Sequence, residues 1–129
     1  MEIPLRAALL AWLSADPVLA AQLNAVTEEA PSRTALPWLA VAASASADWS
    51  AKDVTGREVR VALELHCRGN KPGAAADLVA AIEARIAALP SVQTGLQVVT
   101  VTFLRARAEM RSANTRAVLL EYRFRVLAT

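Results

Sequence analysis

Two segments of the chain alternate apolar and polar residues with a period of two. One spans residues 57–68, and the other spans residues 116–127. The apolar positions are Val59, Val61, Leu63, Leu65 and Cys67 in the first segment, and Val118, Leu120, Tyr122, Phe124 and Val126 in the second. Because successive side chains of a strand point to opposite faces, this spacing predicts two strands that each bury one face. The other face is expected to contact water or another protein.

Three segments instead have apolar residues at helical spacing. Residues 3–14 predict an amphipathic helix, and Asp16 followed by Pro17 predicts the capped start of a short second helix. Residues 74–89 predict a third helix, which Pro90 ends. The apolar positions are Leu5, Leu9, Trp12 and Leu13 in the first helix, and Leu78, Ile82, Ile86 and Leu89 in the third.

The remaining segments complete a sheet. Residues 38–46 predict a strand of small residues, followed by a turn or loop at 47–56. Residues 96–107 are apolar at both sets of alternate positions, which predicts a central strand covered on both faces, and the polar segment 107–115 is expected to be a loop. The element order predicts one α+β domain over residues 1–129, with a mainly antiparallel sheet of about four strands and helices packed on one face.

The composition indicates a modest core. Hydrophobic residues make up 55% of the 129 residues, but many of them are alanine, and the chain has only three Trp, two Phe and one Tyr. Small side chains bury little area each, so we expect self-association to complete the interior.

Positive charge is concentrated near the C-terminus. Residues 1–95 carry eight basic and ten acidic side chains, whereas residues 96–129 carry six arginines and two glutamates. The candidate interface residues are Arg105, Arg107, Arg111, Arg123 and Arg125. Arginine favours bidentate ion pairs and interfaces. The alternative is a solvated face neutralised across the sheet by Glu58, Glu64, Glu109 and Glu121.

The sequence shows no catalytic, metal-binding or cofactor-binding pattern. Gly69 and Gly73 lack the spacing of a phosphate loop, and the adjacent pair Glu28 and Glu29 is expected to be solvated. His66 is the only histidine and Cys67 the only cysteine, so a zinc site within one chain is not expected. In an alternating strand Cys67 is predicted to be a small buried residue.

Targeting signals are also not evident. No apolar run approaches the roughly 20 residues of a membrane span, and no basic leader precedes the first apolar stretch. We therefore expect a soluble protein that is made in the cytoplasm and does not enter a membrane.

Several phrases along nearly the whole chain resemble one family. These are LSADPVLAAQL, ALPWLAV, REVRVALELHCR, AADLVAAIEARIAAL and LLEYRFRVLAT. In their order and spacing they resemble the tail-completion, or tail-terminator, proteins of long-tailed phages and gene transfer agents. The connection at 47–56 does not match the pattern of that family.

The resemblance implies a structural virion protein without enzymatic activity. It implies a homo-hexameric ring at the head-proximal end of the tail tube, which stops tube polymerisation and joins the tail to the head-side connector or stopper protein. Its partners would be further copies of the chain, the tail tube protein, the connector and DNA passing non-specifically through the ring. The loops at 47–56 and 107–115 would reach adjacent rings.

Two other interpretations remain open at this point. One is another neck or head-completion protein, which would bind the portal side instead of capping tail tubes. The other is a small cytoplasmic binding module or enzyme subunit, which would have a deep ligand pocket around His66.

Overall fold

The structure is a computed structural model that describes residues 1–69 and 72–129. The described residues form the helices α1 (Glu2–Ser14), α2 (Pro17–Gln22) and α3 (Pro72–Ala87) and the strands β1 (Val26–Thr27), β2 (Trp38–Asp48), β3 (Gly56–Arg68), β4 (Val92–Gln93), β5 (Leu96–Arg111) and β6 (Thr115–Ala128). The predicted α+β class is confirmed. In the described part of the chain, no helix is both long and apolar enough to cross a bilayer.

The strands form one mixed sheet in the order β1-β2-β3-β6-β5-β4. The β1–β2 pair is parallel, and the other neighbours are antiparallel. The expectation of about four strands was therefore too low for the described residues, although the predicted hairpins β2–β3 and β5–β6 are both present. The two additional strands, β1 and β4, have two residues each, which is too short for alternation to be visible in a sequence.

The core lies between the helices and one face of β3 and β6, which we call the covered face. The alternation predicted for both strands is confirmed, because their apolar positions are buried and pair across the sheet: Val61 with Tyr122, Leu63 with Leu120, and Leu65 with Val118. Phe124 is the largest side chain with no exposed area. The helices contribute Leu5, Leu9, Leu13, Leu78, Ile82 and Ile86 to the same core.

Polar contacts fix the helices relative to one another. Trp12 Nε1 donates to the Arg85 carbonyl at 2.7 Å, and Arg85 Nε donates to the Trp12 carbonyl at 2.9 Å. The Arg85 guanidinium also lies 3.3 Å from the centre of the Trp12 ring. The predicted cap of α2 is confirmed, because the Asp16 carboxylate accepts from the Leu19 N–H at 3.1 Å.

The prediction for β5 as a central strand covered on both faces is wrong. β5 lies next to the end of the sheet, and most of its residues after Val98 are exposed or half-buried. Its register with β6 shifts twice, with Val99 and Leu104 as the extra residues. After each bulge, the odd-numbered and even-numbered residues exchange faces. Apolar residues therefore occur at both odd and even positions of β5, although most of them are not buried.

The segment 107–115 is not a loop. β5 and β6 remain paired as far as Arg111 and Thr115, and only Ser112, Ala113 and Asn114 turn the chain. Ala113 and Asn114 have positive φ angles of 57° and 55°. The hairpin therefore ends in a narrow tip.

The predicted turn between β2 and β3 is shorter than residues 47–56. β2 continues to Asp48 and β3 begins at Gly56, where the Trp49 N–H donates to the Gly56 carbonyl at 3.0 Å. A Cβ on Gly56 would lie 2.5 Å from the Trp49 carbonyl oxygen. This close approach requires glycine.

Candidate functional site

The face of the sheet opposite the helices, which we call the open face, carries most of the charge. It is formed by the residues of β3, β6 and β5 that alternate with those of the covered face. The bulge at Leu104 adds the distal half of β5 to it. Its charged residues include Glu58, Arg60, Glu64, Glu121, Arg123, Arg125, Arg105, Arg107, Glu109 and Arg111. The structure thus brings all five candidate arginines onto one face.

Four of the five arginines are paired with glutamate. The nearest N–O distances are 2.7 Å for Arg105–Glu121, 3.0 Å for Arg107–Glu109, 3.0 Å for Arg111–Glu64, 2.7 Å for Arg111–Glu109 and 3.4 Å for Arg123–Glu58. These are the four glutamates expected to neutralise the face. Exposed pairs of this kind contribute little to folding stability. An interface role for the arginines remains a prediction.

Among the glutamates of the open face, Glu109 is the one that contacts two of the candidate arginines. Hydrogen bonds from Arg111, and then from Arg107, hold the pKa of Glu109 below its ordinary value. The same contact with Glu109, supported by the charge of Glu64, raises the pKa of Arg111. Both shifts favour the charged forms of Glu109 and Arg111, so this ion pair persists at neutral pH.

Arg125 differs from the other candidates because no carboxylate in the described part of the chain pairs with it. Its guanidinium lies 5.6 Å from the centre of the Trp49 ring, and its buried Nε has no hydrogen-bond partner among the described residues. Arg60 lies opposite Arg123 and therefore diagonal to Arg125 across the β3–β6 pair. It likewise makes no ion pair with any described residue. The open face therefore has two arginines that make no ion pair with the described residues.

His66 has a structural environment. Its ring stacks on Trp38 with centroids 4.0 Å apart, and Nε2 contacts the Glu64 carboxylate. Among residues 1–69 and 72–129, no group of three or more His, Cys, Asp and Glu side chains could hold a metal ion.

The adjacent Cys67 points to the other side of the strand. It lines an open cavity of about 440 Å³ with Gln22, Pro37, Arg68 and Leu78, and His66 does not line that cavity. The prediction that Cys67 is buried is confirmed, and burial raises the pKa of its thiol. A thiol with a raised pKa is a poor nucleophile.

Sequence reasoning did not identify which strands form the two free edges of the sheet. In the described chain β1 covers only Leu39 and Ala40 of β2, so Val41–Asp48 has no strand beside it on that side. At the opposite end β4 covers only Leu96 and Gln97, and Val99–Arg111 of β5 is likewise unpaired. The run of small residues in β2 was a possible signal, but the strand order that makes it an edge is not visible in the sequence.

Comparisons with known proteins agree with this architecture. The family model for tail completion protein gp17 matches residues 7–127. A chain from a solved structure, the virion of a native gene transfer agent (GTA) particle, superposes with a TM-score of 0.84 at 25% sequence identity. The match covers 97% of this chain and 96% of that one. No curated protein matches the chain.

The family match extends over nearly the whole chain, from α1 to the end of β6, and includes both hairpins and α3. The resemblance seen in the sequence is thereby confirmed. The chain belongs to the tail completion protein gp17 family, whose members are components of the tail or neck of phage-like particles.

Proposed function

We propose that this protein forms a homo-hexameric ring at the head-proximal end of the tail tube, where it terminates tube polymerisation and joins the tail to the head-side connector. It works as a structural component without enzymatic activity. Its partners are further copies of itself, the tail tube protein, and the connector or stopper protein.

The pair of free sheet edges supports this proposal. The edges lie at opposite ends of one sheet, and they differ in chemistry: Val41–Asp48 has mainly alanine and serine, whereas Val99–Arg111 has arginine, phenylalanine and methionine. A surface that pairs with a different surface of the next copy makes head-to-tail contacts, and such contacts close into a ring when the rotation between copies is a whole fraction of a turn without translation. An unpaired edge also offers backbone groups that need partners.

The open face is suited to contacts within a particle. It carries more arginines than glutamates, so its net charge is positive, and Arg60 and Arg125 make no ion pair with described residues. If this face lines the ring opening, it attracts the DNA that passes through it without reading its sequence. The connection 49–55 and the hairpin tip at 112–114 extend from the ends of the sheet towards adjacent rings.

Deletion of the gene tests the proposal. We expect particles lacking the protein to have overlong tails without heads, because nothing stops tube growth and nothing joins the connector. Electron microscopy measures tail length and head attachment, and light scattering of the purified protein measures its mass against that of a hexamer. Tails of normal length without heads would instead indicate a neck or head-completion protein, and intact particles would overturn the proposal.

A further inference from the structure

Two large apolar side chains of β5 are exposed on the side of the sheet that faces the helix layer. Phe103 is 49% exposed and Met110 is 53% exposed. Phe103 packs edge-on against Tyr122, with ring centroids 5.5 Å apart. Exposing aromatic and thioether side chains beside a free strand forgoes the stabilisation that burial provides.

Phe103 forms one wall of a groove between β5 and α3. The groove has a volume of about 270 Å³ and is lined by Glu83, Ala87, Val101, Phe103 and Tyr122. Its lining is mainly apolar, with a single carboxylate at Glu83. The groove therefore fits an aliphatic side chain better than a charged one.

A second uncovered apolar surface lies at the opposite end of the molecule, on α1. Glu2 and Arg6 hydrogen-bond to Ser46 and Ser44, so α1 runs along the free edge of β2. The residues that follow Glu2 and Arg6 around the helix are Ile3, Ala7 and Leu10, which we call the α1 stripe. Ile3 is 73% exposed, Ala7 is exposed and Leu10 is half-buried. The stripe contains no charged residue.

The strand directions bring these two surfaces together in a ring. β2 is antiparallel to β3, β3 to β6 and β6 to β5, so β2 and β5 run in opposite directions. Rotating a copy about an axis along the strands places its β2 antiparallel to β5 of the first copy. That rotation keeps the faces of the sheet, so α1 of the second copy lies in the layer that contains the groove.

We infer that the α1 stripe of one copy occupies the Phe103 groove of the next, with Ile3 inserted beside Phe103. This inference rests on the proposed ring and identifies its apolar contact. The occupant is a second copy of this chain because the groove and the stripe lie in the same layer, at opposite ends of the sheet. An isoleucine and an uncharged helix face also match the apolar lining.

A disulfide between copies tests the inference. In the double variant Ile3→Cys and Phe103→Cys, the two positions are separated within one chain by the β3 and β6 strands, or roughly 14 Å across the sheet. A disulfide requires Cα atoms within about 7 Å. We therefore expect a crosslink only between copies, seen on non-reducing gels of purified protein and of assembled particles as a ladder of multiples of the chain.

The matched control is Val18→Cys with Phe103→Cys. Val18 is 54% exposed, similar to Phe103, but lies on α2 away from the stripe. Cys67 is retained in both variants, and thermal unfolding checks that both are folded. We expect no ladder from the control.

The outcomes separate the inference from the proposed function. A hexamer-sized particle that gives no Ile3–Phe103 crosslink, or crosslinks equally in the control, would overturn the inference and leave the ring intact. A crosslink from Phe103→Cys to another particle protein would show that a different partner fills the groove. If the protein neither associates nor affects tail length, the ring proposal fails as well.

Discussion

The two faces of the central strand pair β3–β6 share one backbone but have different compositions. Leu120 is fully buried on the covered face, and the adjacent Leu119 is half-buried on the open face beside Arg107 and Arg111. The covered face is aliphatic and aromatic, whereas the open face carries several ion pairs. Of two side chains that are adjacent in sequence, one therefore lies in the protein interior and the other on a charged surface.

This difference separates stability from assembly. Burial of apolar area dominates folding free energy, and ion pairs at the surface contribute little to it. The covered face is therefore expected to determine whether the chain folds. The open face and the free edges are expected to determine what the folded chain binds.

The largest expected effect is the difference in stability between placing a glutamate on the covered face and placing one on the open face. Leu120→Glu places a carboxylate in a site without water or a cation, and we expect it to lower the free energy of unfolding by more than about 4 kcal/mol. Leu119→Glu places the same group opposite Arg107, and we expect a change within about 0.5 kcal/mol. Urea denaturation followed by tryptophan fluorescence measures both. Equal losses would mean that the open face is also part of the core.

Charge reversal on the open face should affect assembly more than stability. For Arg105→Glu combined with Arg107→Glu, we expect weaker ring formation or docking and a loss of unfolding free energy of about 1 kcal/mol or less, because both side chains are well exposed. Light scattering and particle yield measure assembly. The control is Arg33→Glu, an exposed residue in the loop before β2. If the double variant assembles normally, Arg105 and Arg107 are not part of the interface.

The smallest effect concerns the contact between α1 and the edge of β2. The hydrogen bond from Ser46, supported by a backbone hydrogen bond and the N-terminal ammonium, lowers the pKa of Glu2 from 4.5 to about 2. A carboxyl group with a lowered pKa stabilises the folded state above its unfolded pKa, and this contribution is lost as the pH falls from about 4.5 to 2. We expect Glu2→Gln to cost under about 1 kcal/mol at pH 7, since the site is partly exposed.

Thermal unfolding between pH 7 and pH 2 measures this effect. The stability of the variant should depend less steeply on pH than that of the wild type over the acidic range. Ser46→Ala should reproduce part of the difference, because it removes the donor and leaves the carboxylate. Parallel pH profiles for all three proteins would argue against the Glu2–Ser46 contact.

The parts of the fold that the sequence predicted are those where a single period continues without interruption. Buried positions alternate from Val59 to Cys67 in β3 and from Val118 to Val126 in β6, and Asp16 before Pro17 identifies the start of α2. In these segments local spacing and burial agree, so no tertiary information is needed. The same holds for the buried stripe of α3.

β5 could not be predicted in this way because its bulges at Val99 and Leu104 reset the alternation. Apolar residues at both odd and even positions indicated burial on both faces, whereas Phe103 is half exposed. The candidate arginines were correctly grouped by sequence proximity, but their pairing with glutamates of other strands depends on register. The free edges depend on strand order, which no local pattern encodes.

The geometry of α3 and β5 has a further consequence. Each has 16 residues, but a helix rises about 1.5 Å per residue and a strand about 3.3 Å, so the helix is roughly 24 Å long and the strand roughly 53 Å. One helix can shelter less than half of such a strand. The distal half of β5 is accordingly exposed or half-buried, so most of its helix-facing side lacks the cover that α3 gives to the strands beneath it.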